Sequence, residues 1–227
     1  MIDHGQWQVA GSAPEVYERE LVPAVFGPWA LLVVDFAHLQ PGERILDVAC
    51  GTGVVARIAA EKLGERGAVV AADLNPGMLA VARSLPAPRG ATVEWRPADA
   101  VALPFADQAF EVVLCQLGLQ FFADRAAALR EMHRVLRPGG RLWLTLHSLA
   151  IPAAQFRRGN LKGRAYAAYT IFNGLWFHVS GRTLRLKRGM CESIQTKRGM
   201  RVALSRAGFS NIAFQRTRYH FTVTATR

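Results

Sequence analysis

The chain has 227 residues, 51% of them apolar, enough for one domain with a substantial core. No run reaches the ~18 apolar residues of a membrane-spanning helix, and the start, Met-Ile-Asp-His-Gly-Gln, has neither a basic n-region nor an apolar h-region, so no signal peptide is expected. The net charge of +11 is one-sided: residues 151–227 hold 15 basic residues and the single acid Glu192 (+14), whereas the first 150 hold 13 basic and 16 acidic residues (−3). Such a half suits an anionic partner (lipid head groups, nucleic acid or an acidic substrate), against the alternative of a basic face with no partner. Three cysteines, at 50, 115 and 191, are odd in number and lack metal spacing, so a reduced cytoplasmic compartment is expected.

In chain order, residues 13–39 predict two helices, near Pro14–Val22 and Pro28–Leu39, with each proline in a first turn. Residues 44–53, Arg-Ile-Leu-Asp-Val-Ala-Cys-Gly-Thr-Gly, predict a short apolar strand, an acid and a glycine turn. A helix follows, with Val54, Val55, Ile58, Ala59 and Leu63 at helical spacing. Strand, tight turn and helix let backbone approach a nucleotide-like ligand closely, although a glycine turn alone also fits a structural loop. The second apolar run, 68–73, ends in Asp73, about 20 residues past the glycines, where an acid takes both hydroxyls of a ribose. A third run, Ala91–Arg96, precedes Ala98-Asp99-Ala100, and a fourth, Phe110–Cys115, precedes Gln116. A helix over Arg125–Leu136, N-capped by Asp124 and ended by Pro138-Gly139-Gly140, leads to a fifth strand at Arg141–Leu146.

Beyond it the pattern changes. Tyr166, Tyr169, Phe172, Trp176 and Phe177 form a near-continuous helical stripe within the 14 residues 166–179. Arg157, Arg158, Lys162 and Arg164 precede it, and Arg182, Arg185, Lys187 and Arg188 follow. At about 1.5 Å per residue the segment is too short to span a bilayer. It fits a substrate lid, a membrane-surface contact or a homodimer contact. The tail then predicts a helix from Ser193 to Ala207 with Gly208 as its left-handed cap, and two strands, 209–214 and 219–225, joined by a turn at 215–218.

These stretches resemble, in order, the class I S-adenosylmethionine-dependent methyltransferases, most closely the small-molecule branch that includes ubiquinone and menaquinone C-methyltransferases. The matching residues are 46–53, 72–78 (Ala-Asp-Leu-Asn-Pro-Gly-Met), 98–105, 110–115 and 131–140. The resemblance covers residues 13–147, with a weaker echo at 194–226. Ala49 stands where the family usually has its first glycine, and Glu111 where it usually has Asp. The resemblance implies a single Rossmann-like α/β domain with a seven-stranded, mostly parallel sheet, one antiparallel strand and helices on both faces. Its parts would be a helical cap (1–40), a cofactor core (41–147), a substrate-side insertion (148–193) and a final helix and hairpin (194–227).

The resemblance also implies roles. Ala49, Gly51, Thr52 and Gly53 would approach the methionine portion of S-adenosylmethionine, and Asp47 its amino group. Asp73 would take the ribose, Leu74 and Met78 would flank the adenine, and Asp99 with the Ala100 N–H would meet its amino group. Gln116 and Gln120 would face the transferred methyl, with Tyr17 over the donor. His147, after the fifth strand, is the candidate base because an imidazole titrates near working pH; a packing histidine is the alternative. No Asp, Glu and His set has metal spacing, so no metal is expected.

Methyl transfer to a small, hydrophobic or anionic acceptor, lipid-like or quinone-like, is the first reading. The basic tail prompts RNA methylation as a second, but Gln116-Leu-Gly-Leu-Gln120 lacks the Asn/Asp-Pro-Pro-aromatic turn used for base amino groups. A non-methylating enzyme that retains the cofactor is the third. The expected place is the cytoplasm, with a peripheral membrane contact as the alternative.

Overall fold

The computed structural model describes residues 12–122, 124–147, 161–180, 195–216 and 220–227. Residues 217–219 and most of the cations flanking the aromatic segment lie outside them, and β6 runs through Arg216 into the stretch 215–218 expected as a turn. Seven strands form one sheet in the order β3-β2-β1-β4-β5-β7-β6. They are β1 (Arg44–Val48), β2 (Ala68–Asp73), β3 (Thr92–Pro97), β4 (Phe110–Gln116), β5 (Leu136–His147), β6 (Ser210–Arg216) and β7 (His220–Thr226). The first five pair in parallel; β7 runs antiparallel to both β5 and β6. The expected single antiparallel strand is therefore β7.

The parallel strands read as continuous apolar runs because helices cover both faces. On one face α2 (Gly27–Ala37) and α3 (Val54–Leu63) bury Ala30, Val33, Val34, Val55, Ala56 and Ala59. On the other, α5 (Arg125–Val135) and α7 (Lys197–Arg206) bury Leu129, Met132, Met200 and Leu204. Among the described residues, the four-residue α1 (Ala13–Val16), α4 (Pro76–Ser84) and the 20-residue α6 (Leu161–Ser180) are the remaining α-helices. From β1 the sheet grows one way through β2 and the other through β4, so a ligand crevice opens at the strand ends beside β1 and β4.

Local signals fall where their chemistry requires. Asp124 caps α5, its Oδ1 accepting the Ala127 N–H at 2.9 Å. Thr196 caps α7 by accepting the Gly199 N–H at 3.1 Å, so that helix starts at Lys197 rather than Ser193. Gly208, at φ +101°, follows α7 in the left-handed conformation expected of it. Helix α5 stops at Val135, and Pro138-Gly139-Gly140 belongs to β5, not to a separate stop. Leu136 opposes Phe110 and Arg141 opposes Val112, so the proline and glycines absorb a bulge.

The two helices expected near the N-terminus are one continuous rod, Ala13–Ala37, whose middle, Tyr17–Phe26, is π-helical. Pro23 sits inside it, and the Gly27 N–H reaches back five residues to the Val22 carbonyl. Nine residues make about 2.5 turns of an α-helix, which would put Tyr17 and Phe26 on opposite faces. In the wider turn they share a face and stack with centroids 4.8 Å apart. The rod is long enough to cross a bilayer, and an 18-residue window within its 25 residues reaches a mean hydropathy of 1.5, with 28% of that window buried, although Glu20 and Asp35 keep it from being a continuous apolar run. Length and composition alone do not make it a span, because Ala30, Val33, Val34 and Ala37 seat it in the core beside α3.

The stretch 131–140 has a structural task. Arg134 donates to the Leu103 and Phe105 carbonyls at 2.9 and 2.8 Å and to Asp107 and Glu131 at 2.8 Å each. Glu131 in turn accepts the Leu103 N–H at 2.8 Å. This network clamps the loop that follows Asp99.

Candidate active site

The loop after β1 is bent by three consecutive odd positions: Ala49 at φ +58°, Gly51 at +57° and Gly53 at +91°. A side chain at Gly53 would also collide with the Trp95 ring, whereas at Gly51 there is room and only the backbone conformation demands glycine. The loop is fixed from below. Asp73, at the end of β2, accepts the Gly51 N–H through Oδ2 and the Asn75 N–H through Oδ1, both at 2.8 Å. The Cys50 N–H donates to the Ala72 carbonyl at 3.1 Å.

Around this loop stand three acids outside the ion pairs found among the described residues. Asp47, 1% exposed at the core of β1, has its Oδ2 buried without a partner. Burial, and then the negative charge of Asp73, push its carboxyl up to about 8, with the Ala56 amide opposing. Asp73 is raised by burial, opposed by the amides of Asn75, Gly51 and Leu74. Glu18, half-buried and within reach of the Arg57 charge, contributes an Oε2 without a hydrogen-bond partner. Tyr17 lies over Gly51, its hydroxyl 3.7 Å from where a Cβ would stand. Burial, and next the charges of Asp73, Glu18 and Asp47, hold its phenol protonated. Thr52 Oγ1 and Gln116 Oε1 are likewise buried without partners.

Unpaired buried acids are costly, and a cation among them removes the cost. S-adenosylmethionine supplies one: its sulfonium and ammonium outweigh its carboxylate. The orphaned oxygens of Asp47, Thr52, Glu18 and Gln116 fit that group. Asp47 and Glu18 would hold the cationic end, while Gly51, Thr52 and Gly53 would present backbone to it.

The remaining predicted residues are placed as follows. Leu74 is exposed beside Asp73, and Met78 is buried in the first turn of α4. That turn is capped by Asn75, which accepts the Gly77 and Met78 N–H groups at 2.8 and 3.3 Å. Asp99 Oδ1 accepts the Val101 N–H at 3.1 Å, a turn-capping bond, and Ala100 is buried. The two strand ends are joined by the Ala98 N–H donating to the Asp73 carbonyl at 3.0 Å. Gln116 donates from Nε2 to the Phe26 carbonyl at 2.9 Å, pinning the π-helical segment to the end of β4. Its Oε1, which has no partner, can face a ligand. Gln120 is buried in the 3-10 turn Leu119–Phe121, and Arg125 donates to the Leu119 and Gln120 carbonyls. His147 ends β5 opposite His220; its side chain is outside the described residues. Among the described residues no three His, Cys, Asp or Glu groups cluster as a metal site. Cys50 and Cys115 are buried, and burial pushes both thiols up, Cys115 to about 12, which disfavours the thiolate form.

Sequence reasoning missed Glu18, Phe26 and Trp95. Glu18 adjoins Tyr17 in sequence, but nothing local reveals that its carboxylate lies near Tyr17 and Arg57 with an oxygen unpartnered. Trp95, which carries Arg57 5.1 Å from its ring centroid, reads only as a strand residue.

The Methyltransferase domain family matches residues 46–144. The ubiquinone/menaquinone biosynthesis C-methyltransferase UbiE of Xanthomonas campestris pv. campestris is 45% identical over 115 residues, 50% of this chain and 46% of that protein. The match thus spans about half the length of such curated relatives. UbiE of Serratia proteamaculans is 34% identical over 201 residues, covering 82% of this chain and 74% of that one. A SAM-dependent methyltransferase from Aquifex aeolicus superposes with a TM-score of 0.62 at 18% identity, over 93% of this chain and 97% of its own. With the sheet order, the glycine loop and the acid-lined crevice, these relationships place the chain in the class I S-adenosylmethionine-dependent methyltransferase family.

Proposed function

We propose that the protein transfers the methyl group of S-adenosylmethionine to a ring carbon of a small, apolar, quinone-like acceptor in its reduced form. The observation that carries the donor assignment is Asp47, wholly buried beside Asp73 with an oxygen that has no partner. The UbiE relatives, whose names specify C-methylation in quinone biosynthesis, support the acceptor class.

When bound, the donor supplies an electrophilic methyl on sulfur; the chain's residues hold, orient and exclude water. Asp47 and Glu18 take the cationic end, Asp73 the ribose, Leu74 and Met78 the adenine faces, and Asp99 with the Ala100 N–H its amino group. Tyr17 stays a neutral donor above the loop, and its stack with Phe26 excludes water from the crevice. A hydroquinone ring carbon becomes nucleophilic when its phenolic proton leaves. His147 takes that proton; after the methyl has bonded to carbon and the donor has left as the neutral sulfide, the ring C–H proton departs and the ring oxygen regains one, restoring the hydroquinone, with Gln116 Oε1 and Gln120 on the acceptor side. In-line positioning supplies the rest.

The experiment is incubation with methyl-labelled S-adenosylmethionine and a native extract split into lipid, RNA and small-metabolite fractions, followed by a short-chain hydroquinone. Label in the lipid fraction and in the hydroquinone is expected. Label confined to RNA, or absent everywhere, would overturn the reading.

A further inference from the structure

Helix α6 is inside-out. Taking 3.6 residues per turn, Ala167, Thr170, Asn173, Gly174 and Phe177 share one side within about 120°, and all are buried. Two of these are polar: Thr170 donates to the Ala167 carbonyl at 2.9 Å, and Asn173 donates to the Tyr169 hydroxyl at 3.2 Å. Phe177 anchors this side on α7, where any side chain at Gly199 would meet it at 2.6 Å. The opposite side carries Phe172, Leu175, Trp176 and Val179, 57, 63, 46 and 70% exposed. A helix on a water-facing surface shows the reverse pattern.

The charge around this face selects its occupant. Arg164 is exposed on α6 and Arg206 on α7, whereas Lys197 of α7 turns instead over the Phe214 ring of β6, 6.0 Å from its centroid. Arg206 donates to the Ser180 carbonyl, which fixes its guanidinium at the end of α6. With Glu192 the single acid in residues 151–227, a second copy of the chain docked by the same face would oppose like charges. An anionic bilayer meets both features: acyl chains for the apolar side chains and phosphates for the cations, with Trp176 at the head-group boundary.

We propose that Phe172, Leu175, Trp176 and Val179 form a docking face for an anionic lipid bilayer, with Arg164 on the same helix and Arg206 at its C-terminal end as the cations that meet the head groups.

The test is sedimentation of the full chain with phosphatidylcholine vesicles with and without phosphatidylglycerol, with no donor or acceptor present, so that failure here leaves the methyl-transfer reading untouched. Binding to the phosphatidylglycerol vesicles is expected, weakening about tenfold as salt is raised well past physiological strength. Leu175→Glu should weaken it at least tenfold, and Val179→Ser severalfold. Both positions are exposed, so melting temperature and S-adenosylmethionine affinity should stay at wild-type values. Equal binding to neutral vesicles, no binding to either, or full binding by Leu175→Glu would overturn the proposal. So would a wild-type dimer that Leu175→Glu dissociates while vesicle binding persists, because the face would then join two copies.

Discussion

Asp73 accepts the Gly51 N–H at 2.8 Å, so the acid expected to hold the ribose also holds the loop that would present backbone to the donor. The turn-capping and cofactor readings of this residue are compatible: one carboxylate oxygen has two lone-pair directions, and an amide uses one of them.

Asp73→Ala should therefore cost affinity and stability together. Each hydrogen bond to a charged group contributes about 1.5–3 kcal/mol. Affinity for S-adenosylmethionine should fall more than tenfold by calorimetry, and the melting temperature of the ligand-free protein should fall too. A loss of affinity with an unchanged melting temperature would mean that the Gly51 bond is not structural.

Asp47 makes the ligand-free protein sensitive to pH. Its carboxyl is raised from 3.8 to about 8, so between those values the folded chain keeps a proton that the unfolded chain has released. The folded state then binds more protons, and stability falls as pH rises through that window and levels above it. Asp73 is shifted in the same direction. Urea unfolding across the window should show the decline in wild type and a flatter profile in Asp47→Asn.

Ala49 adopts φ +58°, which costs a residue with a Cβ about 1–2 kcal/mol. Glycine removes that cost but adds about 0.5–1 kcal/mol of unfolded-state freedom. Ala49→Gly should leave the protein about 0.5–1 kcal/mol more stable in urea titration.

Gln116→Leu removes the bond to the Phe26 carbonyl. Amide exchange should quicken across Tyr17–Phe26, and S-adenosylmethionine affinity should fall about threefold to tenfold, the equivalent of one hydrogen bond. Unchanged exchange would show that the Tyr17–Phe26 stack and the seat on α3 suffice to hold the rod.

The strands, the glycine loop and the helix caps could be read in advance because their causes are local. Ile45, Leu46 and Val48 must be covered, Asp124 and Gly208 act on neighbouring amides, and the run from Asp47 to Gly53 bends by its own backbone. What escaped reading depends on partners far along the chain. The π-helical turn exists where Tyr17 meets the Gly51 loop and Gln116 meets Phe26, 90 residues apart. Trp95 acquires its place only when β3 lies beside β2. The aromatic stripe of α6 read as continuous, yet Phe177 turns into the core while Phe172 and Trp176 turn out, because α7 offers room at Gly199.

Asp47, buried with a carboxylate oxygen that has no partner, makes this crevice a site for a cationic donor. Calorimetric titration of S-adenosylmethionine near neutral pH, in two buffers of different ionisation enthalpy, tests it most directly. Binding with proton release is predicted, because the ligand's positive charge lowers the raised carboxyl of Asp47, and Asp47→Asn should bind at least tenfold more weakly while releasing less. Equal affinity and equal proton release in wild type and Asp47→Asn, or tighter binding of NAD than of the sulfonium, would contradict it.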